Sequence, residues 1–266
     1  MTAIRIFWQD VYPIDLPRSE ASELWKGLER AAKKFIPNCE VTFSHTDKLV
    51  PSVLNSYYDA INSIAMATKI IIAGEKGYDA AVAGCFLDPG INAIRSGTNI
   101  PVTFPGESSM FLAMTLGKKF GIVTVHDMEN PFVEEHVKKY GFADRFVGVK
   151  SIKDYWAPMI KALKGDPKEE IDHFDEAALW LIDKGADVVI PGCAYCGPTL
   201  WLSGHYHVGN TKVPIVDPFT AALRLAETLS WIRKMTGIEA SRSITSVYQM
   251  APPEEIRKIQ ELFGLR

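Results

Sequence analysis

Two cysteines occupy the same place in two copies of one local pattern. Cys85 lies in YDAAVAGCFLDPG (78–90), and Cys193 lies in ADVVIPGCAYCGP (186–198). Each segment runs from apolar residues into Gly-Cys and then into a short loop with proline and glycine. Backbone N–H groups and helix dipoles at such strand ends favour anions, so we expect lowered thiol pKa values. Two such thiols facing one ligand could exchange a proton on both faces of a carbon, as general base and general acid.

The elements around the cysteines alternate between strand and helix. Continuous apolar runs predict buried strands ending at 8, 85, 126 and 193, with helical spacing between them. This alternation is typical of parallel sheets that are covered by helices on both faces. The segments IPVTFPGESSMFLAM (100–114) and VPIVDPFTAALRLA (213–226) also share a layout, which indicates a duplicated unit. The sequence therefore predicts an α/β fold with two similar parallel-sheet, Rossmann-like lobes related by a pseudo-twofold axis.

The predicted lobes are discontinuous in sequence. We expect residues 1–105 and 218–266 to form the first lobe, and residues 106–217 to form the second. Because ligands in parallel α/β folds gather beyond the carboxyl ends of the strands, the active site is expected in the cleft between the lobes.

Composition limits the classes of partner. The chain has 29 basic and 32 acidic residues and a net charge of −3, which offers no electrostatic footprint for nucleic acid or an anionic membrane. The opening MTAIRIFWQDVYPIDLP lacks the apolar core of a signal peptide, and four cysteines do not suggest a disulfide scaffold. These features predict a cytoplasmic protein with neither a nucleic-acid nor a membrane partner, and the small-molecule substrate follows from the paired cysteines and the resemblance given next.

The quoted segments resemble the aspartate/glutamate/hydantoin racemase superfamily, and CFLDPG with GESS is most similar to its hydantoin and allantoin racemase branch. The resemblance covers most of the chain. It implies an isomerase in which Cys85 and Cys193 are the paired acid/base residues, without cofactor or metal. The implied reaction is racemisation or epimerisation at a carbon next to a carbonyl, in a hydantoin-like or amino-acid-like substrate. It also implies a homo-oligomer.

Further site residues are expected from their positions at strand ends and in loops. Family members hold polar substrate-contacting residues after the first strand, often as Asn-Pro-Asn, where this chain has Trp8-Gln9-Asp10. Asp88 could begin a helix or serve the site. The residues expected to contact substrate are Gln9, Asp10, Phe86, Leu87, Glu107, Thr124, His126, Ala194 and Tyr195.

Several other interpretations remain open at this point. The segment CAYCGPTLWLSGHYH supplies zinc-type ligands in Cys193, Cys196, His205 and His207, and its Cys-x-x-Cys could be a redox pair. Within the superfamily, a cis/trans isomerase of unsaturated diacids would use two cysteines as nucleophile and proton donor. A single-cysteine decarboxylase fits less well, since both cysteines are present. A noncatalytic small-molecule-binding accessory protein could also retain the fold.

Overall fold

The computed structural model describes residues 3–17, 20–48 and 53–266. Within this part of the chain, seven strands form two parallel sheets. The first sheet has the spatial order β2-β1-β3-β4. Its strands are β1 (Ile4–Asp10), β2 (Cys39–Ser44), β3 (Ala80–Gly84) and β4 (Val102–Thr103).

The second sheet repeats this order. It runs β6-β5-β7, with β5 (Phe120–Thr124), β6 (Phe146–Ser151) and β7 (Val188–Pro191). A parallel bridge between Val189 and Ile215 adds a short fourth segment beside β7, as β4 lies beside β3. The predicted fold class, two similar parallel-sheet lobes, is confirmed.

Helices cover both sheets. Apolar residues at helical spacing bury one face of the first helix, including Leu24, Leu28 and Ala31. The helices are α1 (Ala21–Phe35), α2 (Ser56–Glu75), α3 (Ile91–Gly97), α4 (Pro105–Leu116), α5 (Asn130–Lys139), α6 (Trp156–Leu163), α7 (Lys168–Asp183), α8 (Cys196–Leu202), α9 (Pro218–Thr236) and α10 (Pro253–Leu262).

Two of these helices join the lobes. Helix α4 follows the first sheet, but its main contact with a strand is with β7, whereas α9 follows the second sheet and packs against β3, β1 and β4. The two helices also pack against each other, and Thr103 Oγ1 donates a hydrogen bond to the Ala222 carbonyl (2.9 Å). The predicted boundaries near 105 and 218 coincide with the starts of these helices, and the division into two domains stays a prediction.

The strand that precedes the first cysteine is built from small residues. All five residues of β3, AAVAG, are buried. Their small size lets the covering helices α2 and α9 approach the sheet closely. In the described ranges, no helix has the length and apolar character needed to cross a membrane.

Candidate active site

Both cysteines line one cleft. The cleft is open to solvent, and the space inside it, counted with that open part, is about 470 Å³. Cys85 directly follows β3 of the first sheet, and Cys193 follows β7 of the second after one glycine. The strands occupy equivalent positions in the two sheets, so each lobe presents its thiol from the same topological place.

The glycine before each cysteine is closely packed against its neighbours. A Cβ on Gly84 would lie within 2.5 Å of Trp8 Nε1, and Trp8 is fully buried. A Cβ on Gly192 would lie 3.0 Å from Ile122 Cγ2 and 3.1 Å from the Val123 carbonyl oxygen. A side chain at Gly84 would require the Trp8 indole to shift, whereas one at Gly192 would require its neighbours to give way by only a few tenths of an ångström. The missing side chain of each glycine therefore lets the strand end pack closely against its neighbours, and the cysteine that follows the glycine reaches the cleft.

Asp88 fixes the loop that follows Cys85. Its backbone is left-handed (φ 46°), and its carboxylate accepts hydrogen bonds from the N–H groups of Gly106 (2.8 Å) and Glu107 (2.7 Å). The Tyr140 hydroxyl donates a third (2.8 Å). Burial raises the pKa of Asp88 to about 7, although these hydrogen bonds oppose the rise. Asp88 thus caps α4, a helix that begins well after the loop, and does not cap α3.

Asp10 holds Tyr195 in place across the two lobes. The Tyr195 hydroxyl donates to Asp10 Oδ1 (2.7 Å), which also accepts from the Tyr12 N–H (2.9 Å). Trp8 Nε1 donates to the other carboxylate oxygen (3.2 Å). Burial raises the pKa of Asp10, opposed by these hydrogen bonds. The carboxyl group is enclosed, while the Tyr195 ring forms part of the cleft wall.

The two thiols have different surroundings. Burial raises the pKa of Cys85 well above the usual thiol value, and the charge of Asp88 adds to the rise. A hydrogen bond from the Leu87 N–H opposes it. The lowered thiol pKa expected from the strand end is therefore wrong for Cys85, because desolvation outweighs the backbone donor. Cys193 is half-buried and lies beside the buried thiol of Cys196, the first residue of α8.

The structure brings about half of the sequence-predicted site residues to the cleft wall. Those that line it are Cys85, Phe86, Leu87, Cys193, Ala194 and Tyr195. Gln9 and Asp10, the last two residues of β1, are fully buried and do not line it. Gln9 Nε2 donates to the Asp10 carbonyl (2.8 Å).

The other three residues predicted to contact substrate interact with side chains of the protein. Glu107 forms an ion pair with Arg95. Thr124 is fully buried, and its hydroxyl donates to Asn130 Oδ1 (2.7 Å). His126 is exposed and meets the ring of Tyr155 edge-on (5.5 Å between centroids). None of these three lines the cleft, and direct substrate contact by them stays a prediction.

Glu129 is the main residue that the sequence reasoning missed. It follows β5, lines the cleft and accepts a hydrogen bond from the Val125 N–H (3.2 Å). Burial raises its pKa to about 7. The sequence signal that could have identified Glu129 is its acidic side chain in the segment after β5, which is the strand equivalent to β1. Val11, Tyr12, Val53, Val125 and Tyr155 complete the wall, and no motif distinguished these apolar and aromatic residues.

The zinc alternative does not fit the side-chain positions. His205 Nε2 contacts Asp175 Oδ1 (2.8 Å) on α7. Across the described ranges, no group of three or more His, Cys, Asp or Glu side chains is placed to hold a metal ion. The four residues of the segment therefore do not converge on one ion.

The chain is similar in sequence and in fold to known racemases. The Asp/Glu/Hydantoin racemase family model matches residues 21–226. A hydantoin racemase from Pseudomonas sp. (strain NS671) is 30% identical over 214 residues, covering 79% of this chain and 82% of the relative. One from Rhizobium meliloti is 28% identical, covering 80% and 86%. The solved allantoin racemase from Klebsiella pneumoniae has a similar fold, with TM-score 0.75, 21% identity and 94% of each chain covered.

Fold and site together define a two-lobed α/β protein with one thiol from each lobe at a shared cleft. The chain belongs to the Asp/Glu/hydantoin racemase family. This membership confirms the resemblance read from the two cysteine segments and the expectation of an isomerase of the racemase type.

Proposed function

We propose that this protein racemises a hydantoin-like small molecule at the carbon next to its carbonyl, with Cys85 and Cys193 as the acid/base pair. The observation that carries the proposal is the placement of both thiols on one cleft, each after the equivalent strand of its lobe. The hydantoin racemases among the relatives give the substrate class independent support.

The reaction needs only a proton exchange. One thiolate removes the proton from the substrate carbon, and the electron pair moves into the adjacent carbonyl to form an enolate. The opposite thiol then protonates the other face, which inverts the centre and leaves the two sulfurs with exchanged protonation states. Because burial raises the pKa of Cys85, the free enzyme favours the thiol form of this residue. No cofactor is required for these steps.

The charges along the cleft favour a neutral ring over a free amino acid or a diacid. No lysine or arginine is found among the described residues that line it, while Glu129 contributes a carboxyl group. A substrate carboxylate would meet no cationic side chain there and would be repelled by ionised Glu129. The same reasoning argues against an unsaturated diacid, the substrate of the cis/trans isomerase alternative. A hydantoin ring carries no net charge near neutral pH, so it avoids this cost.

The apolar wall indicates where the substituent of such a ring would lie. Val11, Val53, Phe86, Leu87 and Val125 all line the cleft. Aliphatic and aromatic groups gain free energy by leaving water for such surfaces, about 25 cal/mol per Å² of apolar area. We therefore expect hydantoins with apolar substituents to be better substrates than those with charged substituents.

Polarimetry on purified protein tests the proposal. Single enantiomers of apolar 5-substituted hydantoins, allantoin, aspartate and glutamate are incubated with wild type, Cys85→Ser and Cys193→Ser, and the rate without enzyme is subtracted. We expect loss of optical rotation with a hydantoin, and at least a thousandfold slower loss in both variants, within the range of acid/base contributions. Full activity in both variants would exclude the two-thiol mechanism.

A matched control uses Cys39, which lies on β2 and does not line the cleft. Cys39→Ser should racemise at the wild-type rate. Binding of a hydantoin with no turnover in wild type would instead identify a noncatalytic binder.

The cytoplasmic location and the homo-oligomeric state expected from the sequence remain proposals beside this one.

A further inference from the structure

We propose that Glu129 determines which rings the cleft accepts: its carboxylate receives a hydrogen bond from the ring N–H that is bonded to the reacting carbon. A hydantoin has such an N–H, whereas the corresponding succinimide has a methylene group in its place. This inference rests on the proposed function and deepens it, because it concerns the substrate of the same cleft. It makes Glu129 a specificity-determining residue that contacts the substrate and transfers no proton.

A single helical turn brings the Glu129 side chain back to the end of β5. The turn spans Asp127–Glu129 and lies directly before α5. Glu129 Oε2 accepts a hydrogen bond from the Val125 N–H (3.2 Å), and Glu129 lines the cleft. The carboxyl group is therefore held by the backbone of its own segment, beside the space that a substrate would occupy.

The Glu129 carboxyl group comes from the same lobe as Cys193 and from the neighbouring strand end. Strands β5 and β7 are hydrogen-bonded to each other. The Gly192 N–H extends this pairing by donating to the Val123 carbonyl (2.7 Å). Because paired strands are about 5 Å apart, Val125 and Cys193 follow adjacent strand ends. An acceptor that is bonded to Val125 is thus well placed for a group attached to the carbon that Cys193 serves.

The Glu129 carboxylate retains capacity for another donor. A carboxylate can accept about four hydrogen bonds, and no side chain in the described ranges donates one to Glu129. Asp10 ends the equivalent strand, β1, and differs in this respect. The Tyr195 hydroxyl, the Tyr12 N–H and Trp8 Nε1 all donate to it. The second lobe therefore presents an open carboxylate where the first lobe has a satisfied one.

The charges along the cleft favour a neutral donor for this carboxylate. Of the described residues that line the cleft, Glu129 alone has a carboxyl group, and none is a lysine or arginine. An amide N–H satisfies a carboxylate without bringing a second charge, and hydrogen bonds to charged groups are stronger than those between neutral groups. A free amino acid would place its ammonium group there, but its own carboxylate would have no cationic partner among these residues. A ring N–H beside the reacting carbon avoids that cost.

Isothermal titration calorimetry with two matched ligands tests this assignment. Racemic 5-benzylhydantoin has the N–H, whereas racemic 3-benzylsuccinimide has a methylene group at that position and keeps the other ring atoms. Because both ligands are racemic, turnover causes no net change during the titration. At pH 8, above the pKa of about 7 for Glu129, wild type should bind the hydantoin about 10- to 100-fold more tightly than the succinimide.

Glu129→Gln removes the second acceptor and keeps the shape of the side chain. The amide oxygen can still accept from the Val125 N–H, but the NH₂ group then faces the ring N–H, donor against donor. The preference for the hydantoin should fall to near one in this variant, with the circular dichroism spectrum of wild type. Glu134→Gln, which changes an exposed residue of α5 outside the cleft, is the matched control and should keep the wild-type preference.

Equal affinities of wild type for the two ligands would overturn the inference, and this comparison needs no variant. An undiminished preference in Glu129→Gln would also overturn it, because an amide NH₂ reproduces a protonated Glu129 that donates to a ring carbonyl. Equal affinities together with racemisation of a hydantoin in the polarimetric assay would remove this inference alone. If wild type neither binds nor racemises a hydantoin, the proposed function fails and this inference fails with it.

Discussion

The buried carboxyl group of Glu170 should make the protein less stable as pH rises. Its side chain has 4% of its surface exposed, one oxygen accepts from the Thr199 hydroxyl, and the other has no hydrogen-bond partner. Burial raises its pKa from 4.5 to about 8. The folded protein therefore binds this proton more tightly than the unfolded chain does. Folding is favoured by a bound proton at this site, and this preference is lost as pH rises.

The size of the effect follows from the interval between the pKa of Glu170 in the unfolded chain, 4.5, and its pKa in the folded protein, about 8. Below pH 4.5 both states are protonated, and Glu170 adds no pH dependence. Between 4.5 and about 8, the free energy of unfolding falls by about 1.4 kcal/mol per pH unit, reaching at most about 5 kcal/mol in total. Glu170→Gln keeps the shape and removes the charge. It should be close to wild type at pH 5 and several kcal/mol more stable than wild type at pH 8.5.

Urea unfolding of both proteins at pH 5, 7 and 8.5 measures this difference. Asp88, Glu129 and Asp217 also have raised pKa values, each about 7, but they are present in both proteins and cancel in the comparison. Glu176→Gln on the exposed side of the same helix is the matched control and should leave the pH dependence unchanged. A constant difference between Glu170→Gln and wild type at all three pH values would refute the reasoning.

Two substitutions test how the cleft wall is held. Gly84→Ala places a methyl group against the Trp8 indole and should cost about 1–3 kcal/mol in urea unfolding. It should also slow racemisation about a hundredfold, since it displaces the adjoining cysteine. Tyr195→Phe removes the hydroxyl that donates to Asp10 and should cost about 1–3 kcal/mol, with slower racemisation measured by polarimetry.

Both substitutions have controls in the chain. Gly192→Ala meets its nearest atom at 3.0 Å, so it should destabilise less than Gly84→Ala; the reverse order would contradict the packing argument. Tyr57 is 72% exposed, and Tyr57→Phe should unfold at the wild-type urea concentration. Equal stability of Tyr195→Phe and Tyr57→Phe would mean that the bond to Asp10 contributes nothing.

The parts of the site that were predictable depend on local sequence. Strand runs that end in Gly-Cys placed Cys85 and Cys193 at equivalent strand ends, because parallel strands of a duplicated unit end at the same edge. The loop residues after each cysteine, such as Phe86 and Ala194, came with them. The positions of the strand ends along the sequence were therefore sufficient to predict the two cysteines and the loop residues that follow them.

The remaining features depend on contacts between distant segments. Whether Asp10 faces a substrate or Tyr195 is decided by packing across the two lobes, which no local pattern encodes. Asp88 caps α4 for the same reason: its partners, Gly106 and Glu107, lie in a later element. The pKa of Cys85 could not be predicted either, because desolvation depends on how much of the folded chain surrounds the sulfur.

Solvent deuterium exchange in single-cysteine variants tests the two-thiol mechanism most directly. Each enantiomer of an apolar 5-substituted hydantoin is incubated in D₂O with Cys85→Ser or Cys193→Ser, and loss of the ring C–H signal is followed by NMR. If each thiol serves one face, each variant should exchange the proton of only one enantiomer, opposite for the two variants, without racemising either. Exchange of both enantiomers by one variant at the wild-type rate would contradict an acid/base pair formed by Cys85 and Cys193.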